Sequence, residues 1–219
     1  MELGNSLISI NGEQMPTLEI FFVLTVMMLL PSIVVMMTSF LRIIIVLSFT
    51  RTAIGVQQTP PNIVLVGMAI FLTLFIMNPV VQKIDTEAYQ PYKAGEITQE
   101  EAIDLAAVPM KEFMLKQTEV SALNLFVDAS DSEAAENPED LSLVVIVPAF
   151  VTSELKRAFT AGLLLYIPFL LIDIIVSSTL MSMGMIMLPP ATIALPFKLL
   201  LFVTVNGWEL LFASIIKSF

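Results

Sequence analysis

Two long stretches of this sequence carry no charge: 22 residues from Ile20 to Leu41 and 31 from Thr52 to Gln82, of which Asn62 to Met77 is the most apolar part. About 20 such residues, as a helix, cross the ~30 Å hydrocarbon core of a bilayer. A third apolar stretch, Ala158 to Met187, is interrupted only by Asp173, and a fourth, Thr192 to Ile216, by Lys198 and Glu209. The chain as a whole is 57% hydrophobic and 14% charged, whereas a soluble domain has about 25% charged residues. The pattern predicts an all-α membrane protein.

The charge is concentrated between Gln82 and Ser142, where fourteen acids and four lysines account for the entire net charge of −10. The sequence therefore reads as a tail (1–17), a first hydrophobic helical hairpin (18–82), a small acidic helical extracytoplasmic domain (83–140) and a second hydrophobic hairpin with a Met-rich loop (141–219). Gly55 and Pro60-Pro61 punctuate a connection from Ser48 to Asn62, and Pro189-Pro190 separates the third and fourth stretches. In the acidic segment, Thr98 with Glu101 forms a capping box, Pro109 can open a second helix, and Asn137-Pro138-Glu139-Asp140 reads as a helix start. Its few large apolar residues make a marginal core, which favours packing against copies of itself or partners. Phe113 and Phe126 either fill that core or form a subunit contact.

Arg42 and Arg51 flank the first connection while the N-terminal tail holds only acids, so the positive-inside rule places that connection in the cytoplasm and the acidic segment outside. Lys156 and Arg157 go against that rule. No basic region precedes the first apolar run, so no cleavable signal peptide is expected in this numbering. With no Cys and no His, thiol and imidazole catalysis and Cys/His zinc sites are excluded. No GxxxxGK[ST] motif is present for nucleotide, and no basic cluster for nucleic acid. The expectation is a protein that is not an enzyme and takes no cofactor or metal.

Three blocks carry a resemblance: SFLRIIIVLSFTRTAIGVQQTPPN (Ser39 to Asn62), PAFVTSELKRAFTAGLLLYIPFLLIDIIVSSTLMSMGMIMLPP (Pro148 to Pro190) and LPFKLLLFVTVNGW (Leu195 to Trp208). They are similar to the signature blocks of the flagellar biosynthetic FliP family, whose injectisome counterparts in type III secretion share the pattern. The SFTRTA and NGW wording resembles the flagellar branch more. The resemblance implies an export-gate subunit in the bacterial inner membrane, at the flagellar basal body. Several copies would form a pentamer-like ring with two smaller companion membrane proteins, bounded by lipid, and unfolded flagellar proteins would pass through the middle.

Four methionines, Met181, Met183, Met185 and Met187, fall within seven residues around Gly184. Residues two apart on a helix point in separate directions, so this is not one helical stripe. Composition alone favours ordinary apolar packing over a deformable, dewetting constriction. The resemblance implies the latter, a pore gasket, with Met183 and Met185 the favoured inward pair. Lys198 in an apolar run must pair, snorkel or lose its proton, and Glu154 is its expected partner, in an ion pair within or between subunits that supports assembly. Asp173 is an intramembrane acid, expected to be structural. An alternative function is a small-solute or ion transporter using Asp173 and Lys198; another is a purely structural assembly platform.

Overall fold

The computed structural model describes residues 8–10, 13–15, 17–56, 58–130, 138–185 and 187–219. The chain forms two compact units, Met1–Met36 and Met37–Phe219. In the first, short strands β1 (Ile8–Ile10) and β2 (Glu13–Met15) pair antiparallel, Ile8 opposite Met15, ahead of helix α1 (Thr17–Met36). This strand pair is the one departure from an all-helical fold among the described residues. α1 is apolar all round and runs through Pro31.

The second unit is helical throughout its described residues: α2 (Phe40–Ile54), α3 (Asn62–Ile84), a π-helical turn (Asp85–Tyr89) leading into α4 (Gln90–Ala94), α5 (Gln99–Gln117), α6 (Val120–Ala129), a 3₁₀ turn (Pro138–Asp140), α7 (Leu143–Ser182), α8 (Pro190–Thr204) and α9 (Gly207–Lys217). From the sequence, one uncharged span extends to Leu41 and the connection begins at Ser48. Instead α2 fills that interval, and the connection to α3 shrinks to seven residues, 55–61.

α2 is the hub of this unit. Its buried positions, Arg42, Ile43, Val46, Leu47, Thr50, Ala53 and Ile54, recur at helical spacing and form one stripe. That stripe lies along α7 more extensively than any other helix pair in the chain. Leu65 and Ala69 of α3, Ala158 of α7, and Leu211 and Ile215 of α9 close the same core. At its far end α2 meets Phe169 of α7 and Phe202 of α8 through Ala53 and Ile54.

α7 runs unbroken for 40 residues despite Pro148 and Pro168, about 60 Å at 1.5 Å per residue. It begins fifteen residues before the apolar stretch that marked it in the sequence. Its start is Ser142, whose hydroxyl accepts from the Val144 N–H; Asn137, the expected cap, lies outside the described residues. α5 also runs through Pro109 instead of starting there, and the Thr98–Glu101 capping box is present in both directions. Part of the acidic segment packs on α7: Met114 of α5 and Leu141 share a core with Ile146 and Phe150 of α7.

Among the described residues, two helical rods are long and apolar enough to cross a bilayer, Asn62–Ala94 and Leu143–Ser182. The expected fourth span is two helices, α8 and α9, bent by 62° at Val205 and Asn206, and counts as a third if the pair acts as one. The apolar run of α1, Ile20–Ile33, is shorter.

Candidate functional site

The two expected intramembrane ion-pair partners, Glu154 and Lys198, do not meet within the chain. Glu154 is fully buried and pairs with Arg42, which sits on α2 facing α7. The guanidinium Nε donates to Glu154 Oε2 at 2.9 Å and Nη2 donates to Oε1, giving a bidentate fork. Nη2 also donates to Gln117 Oε1 at 3.1 Å, and Nη1 to the Ser218 carbonyl at 2.9 Å and hydroxyl at 3.0 Å. The cation rests 3.9 Å over the Phe219 ring. Gln117 in turn donates to the Phe219 carbonyl at 3.0 Å and accepts from Arg157 at 2.6 Å. One node thereby ties α2, the end of α5, α7 and the last two residues together. Arg42 was read from sequence as a topology marker; its charge is instead spent inside the fold.

Arg51, the other marker, is half-exposed and closes the α2–α3 connection by donating to Asn62 Oδ1 at 2.5 Å and to the Pro60 carbonyl at 3.3 Å. Lys198 is 5% exposed and donates to Asp173 Oδ2 at 2.6 Å. The other oxygen of Asp173 is buried and has no hydrogen-bond partner among the described residues. Among those residues no three acids converge as a metal site would require.

The methionines mark the turn from α7 to α8. Gly184, at φ +77°, ends α7 in a left-handed cap: its N–H donates to the Met181 carbonyl and the Met185 N–H to the Leu180 carbonyl, both at 3.0 Å. Those are the paired bonds of a Schellman turn, for which glycine is favoured because it pays no Cβ penalty. Met185 is half-buried, while Met181, Met183 and Met187 are 66%, 65% and 99% exposed. Met187 has almost no cover from its own chain, and Met181 and Met183 are largely uncovered.

The FliP family matches residues 23–215, which takes in α2 to α8, most of α1 and α9, and every site residue named above except Ser218 and Phe219. The chain belongs to the FliP family. It is 50% identical over 211 residues to the flagellar biosynthetic protein FliP of Pectobacterium carotovorum subsp. carotovorum, covering 95% of this chain and 82% of that one. The FliP of Bacillus subtilis (strain 168) is 49% identical over 203 residues, covering 93% and 92% respectively. That of Aquifex aeolicus (strain VF5) is 45% identical over 211 residues, covering 95% and 88%.

The FliP match also covers the two phenylalanines. Phe113 is half-buried, its ring 5.9 Å from Phe150 and 6.2 Å from Phe219 of the same chain. Phe126, on α6, is half-buried and outside the core clusters. Sequence reasoning missed Arg42 as a site residue. The available signal was that it interrupts an otherwise apolar run from Ile20 to Phe49, where an unpaired charge is costly.

Proposed function

We propose that this protein is a pore-forming subunit of the flagellar type III export gate in the bacterial inner membrane. Copies of the chain form a ring with two smaller companion membrane proteins and conduct unfolded flagellar proteins. The carrying observation is the α7–α8 turn: three exposed methionines on a glycine-capped hairpin end. Repeated around a ring, such a turn makes an apolar, compliant constriction that excludes ions by dewetting and deforms around a passing chain. The acidic helices lie on the outer side, as the remaining topology marker Arg51 and the acidic N-terminal tail favour. No chemistry is required of the protein itself; its part is passive conduction. The outward apolar faces of α3 and α7, with Phe71, Phe75, Leu163 and Ile175 exposed, support burial against lipid and neighbouring subunits.

The transporter alternative draws no support from the geometry, since Asp173 and Lys198 neutralise each other. The absence of native cysteine gives a clean test. Single substitutions Met183→Cys and Met187→Cys are combined with an export substrate stalled in transit that carries one cysteine. Disulfide cross-links to the substrate are expected at the turn and not at Phe71→Cys on the outer face of α3. Cross-linking at Phe71 alone, or at none of these positions, contradicts a pore lined by the methionine turn.

A further inference from the structure

The methionine turn sits at the end of two helical arms, which the Lys198–Asp173 pair joins, with Lys198 buried and Asp173 partly exposed. From Asp173 to the end of α7 at Ser182 is nine residues; from the start of α8 at Pro190 to Lys198 is eight. At 1.5 Å per residue the pair lies about 12 to 14 Å below the turn on either arm. One helical turn further down, Phe169 and Phe202 face each other across the same two helices, with ring centroids 6.3 Å apart. Positions 169 and 173 of α7 and 198 and 202 of α8 thus form a two-rung base.

Above that base Leu180 and Ala194 are buried, but the remaining facing surface is not filled. A cleft of about 450 Å³ opens between the arms, lined by Ile175, Val176, Thr179, Ile193 and Phe197 among others. Among the described residues, the Lys198–Asp173 contact is the one hydrogen bond between α7 and α8. The Lys198 ammonium also lies near the C-terminal end of α2: a Cβ added to Gly55, the left-handed cap of that helix, would stand 3.8 Å from it. A cation there faces the negative end of the α2 dipole. The pair is a poor device for stability alone, because one carboxylate oxygen is buried without a partner among the described residues and apolar pairs of similar volume often serve as well or better.

We infer that the Asp173–Lys198 pair is a positioning clamp that holds the α7–α8 arms, and through them the methionine turn, in the closed register of the seal. The inference rests on the proposed seal and assigns its control to two residues that never touch the exported chain. Above the clamp the arms are free to spread into the cleft as a polypeptide passes; at rest the charged pair returns them to one alignment. Dispersion contacts along loosely packed apolar arms do not specify that alignment so sharply.

The test compares the uncharged pair Asp173→Leu/Lys198→Met with the conservative pair Asp173→Glu/Lys198→Arg. Both are read for complex formation on native gels and for resting ion leakage in cells. The uncharged variant is expected to assemble normally yet leak to about the extent of Met183→Ala/Met185→Ala, while the conservative variant assembles and stays tight. An uncharged variant that assembles and remains tight overturns the clamp, as does one that fails to assemble, which would make the pair an assembly determinant. A leaky conservative variant also contradicts it. The methionine double variant separates the two levels: leakage there with a tight uncharged pair removes only the clamp, whereas no leakage there removes the seal on which the clamp depends.

Discussion

Arg42 hydrogen-bonds Glu154, Gln117 and Ser218 from the first turn of the apolar helix α2. Removing either member of its pair with Glu154 leaves an uncompensated buried charge, which costs about 3–5 kcal/mol. Glu154→Ala and Arg42→Ala are each expected to lower the thermal midpoint of the detergent-purified protein, with Arg42→Met/Glu154→Leu recovering much of the loss. Single variants as stable as the parent would show that the node carries little. At this scale the sequence showed that charges in apolar runs need partners, and it identified Glu154, Lys198 and Asp173 as the residues concerned. It could not assign the pairs. Arg42 and Glu154 are 112 positions apart, and no local periodicity encodes which buried acid meets which buried base.

Helix packing turns on a few close approaches. At Gly162 of α7, a Cβ would stand 2.5 Å from Cγ of Phe49 on α2, and that ring is held edge-on against Phe159 at 5.3 Å. Gly162→Ala is therefore expected to cost about 1–3 kcal/mol by overpacking, measured by denaturation in detergent, with Phe49→Leu restoring part of it. At α5 the Glu101 carboxylate accepts from the Thr98 backbone N–H and hydroxyl, which holds its pKa below the ordinary glutamate range. A lowered folded-state pKa means the cap's contribution is present above the unfolded value and lost as pH falls through the folded one. Hydrogen exchange in the first turn of α5, corrected for intrinsic rate, is expected to quicken below pH ~4 and in Thr98→Ala at neutral pH. Unchanged protection in both would contradict the capping account. This cap was legible because it is local. α2 was not: a span reading that ends at charges stops at Arg42, a charge the fold buries, and the break at Met37 to Ser39 has neither Gly nor Pro to punctuate it.

Over the whole molecule, the apolar–acidic–apolar order of the sequence was enough to give a helical membrane protein, and the lone charges and prolines within apolar runs pointed to assembly. The shared core of α5 with α7 was hidden, since it joins residues on opposite sides of the acidic stretch. So was the bend between α8 and α9, which requires Asn206 in a left-handed conformation at φ +52°, a state asparagine adopts more readily than most residues. Unpartnered apolar faces on α3 and α7 lead to the expectation that the purified chain self-associates in detergent, seen as an oligomer by light scattering. Reconstituted alone, it should show no substrate-dependent ion flux. A stable monomer with specific flux would favour the transporter alternative.

The methionine turn as the resting seal decides whether the protein conducts polypeptide without leaking ions. The direct measurement is ion leakage and flagellin export in cells carrying Met183→Ala/Met185→Ala, with complex formation verified by native gel. Increased leakage through intact complexes is the expected result; unchanged leakage with normal export would contradict the seal and return these methionines to ordinary apolar packing.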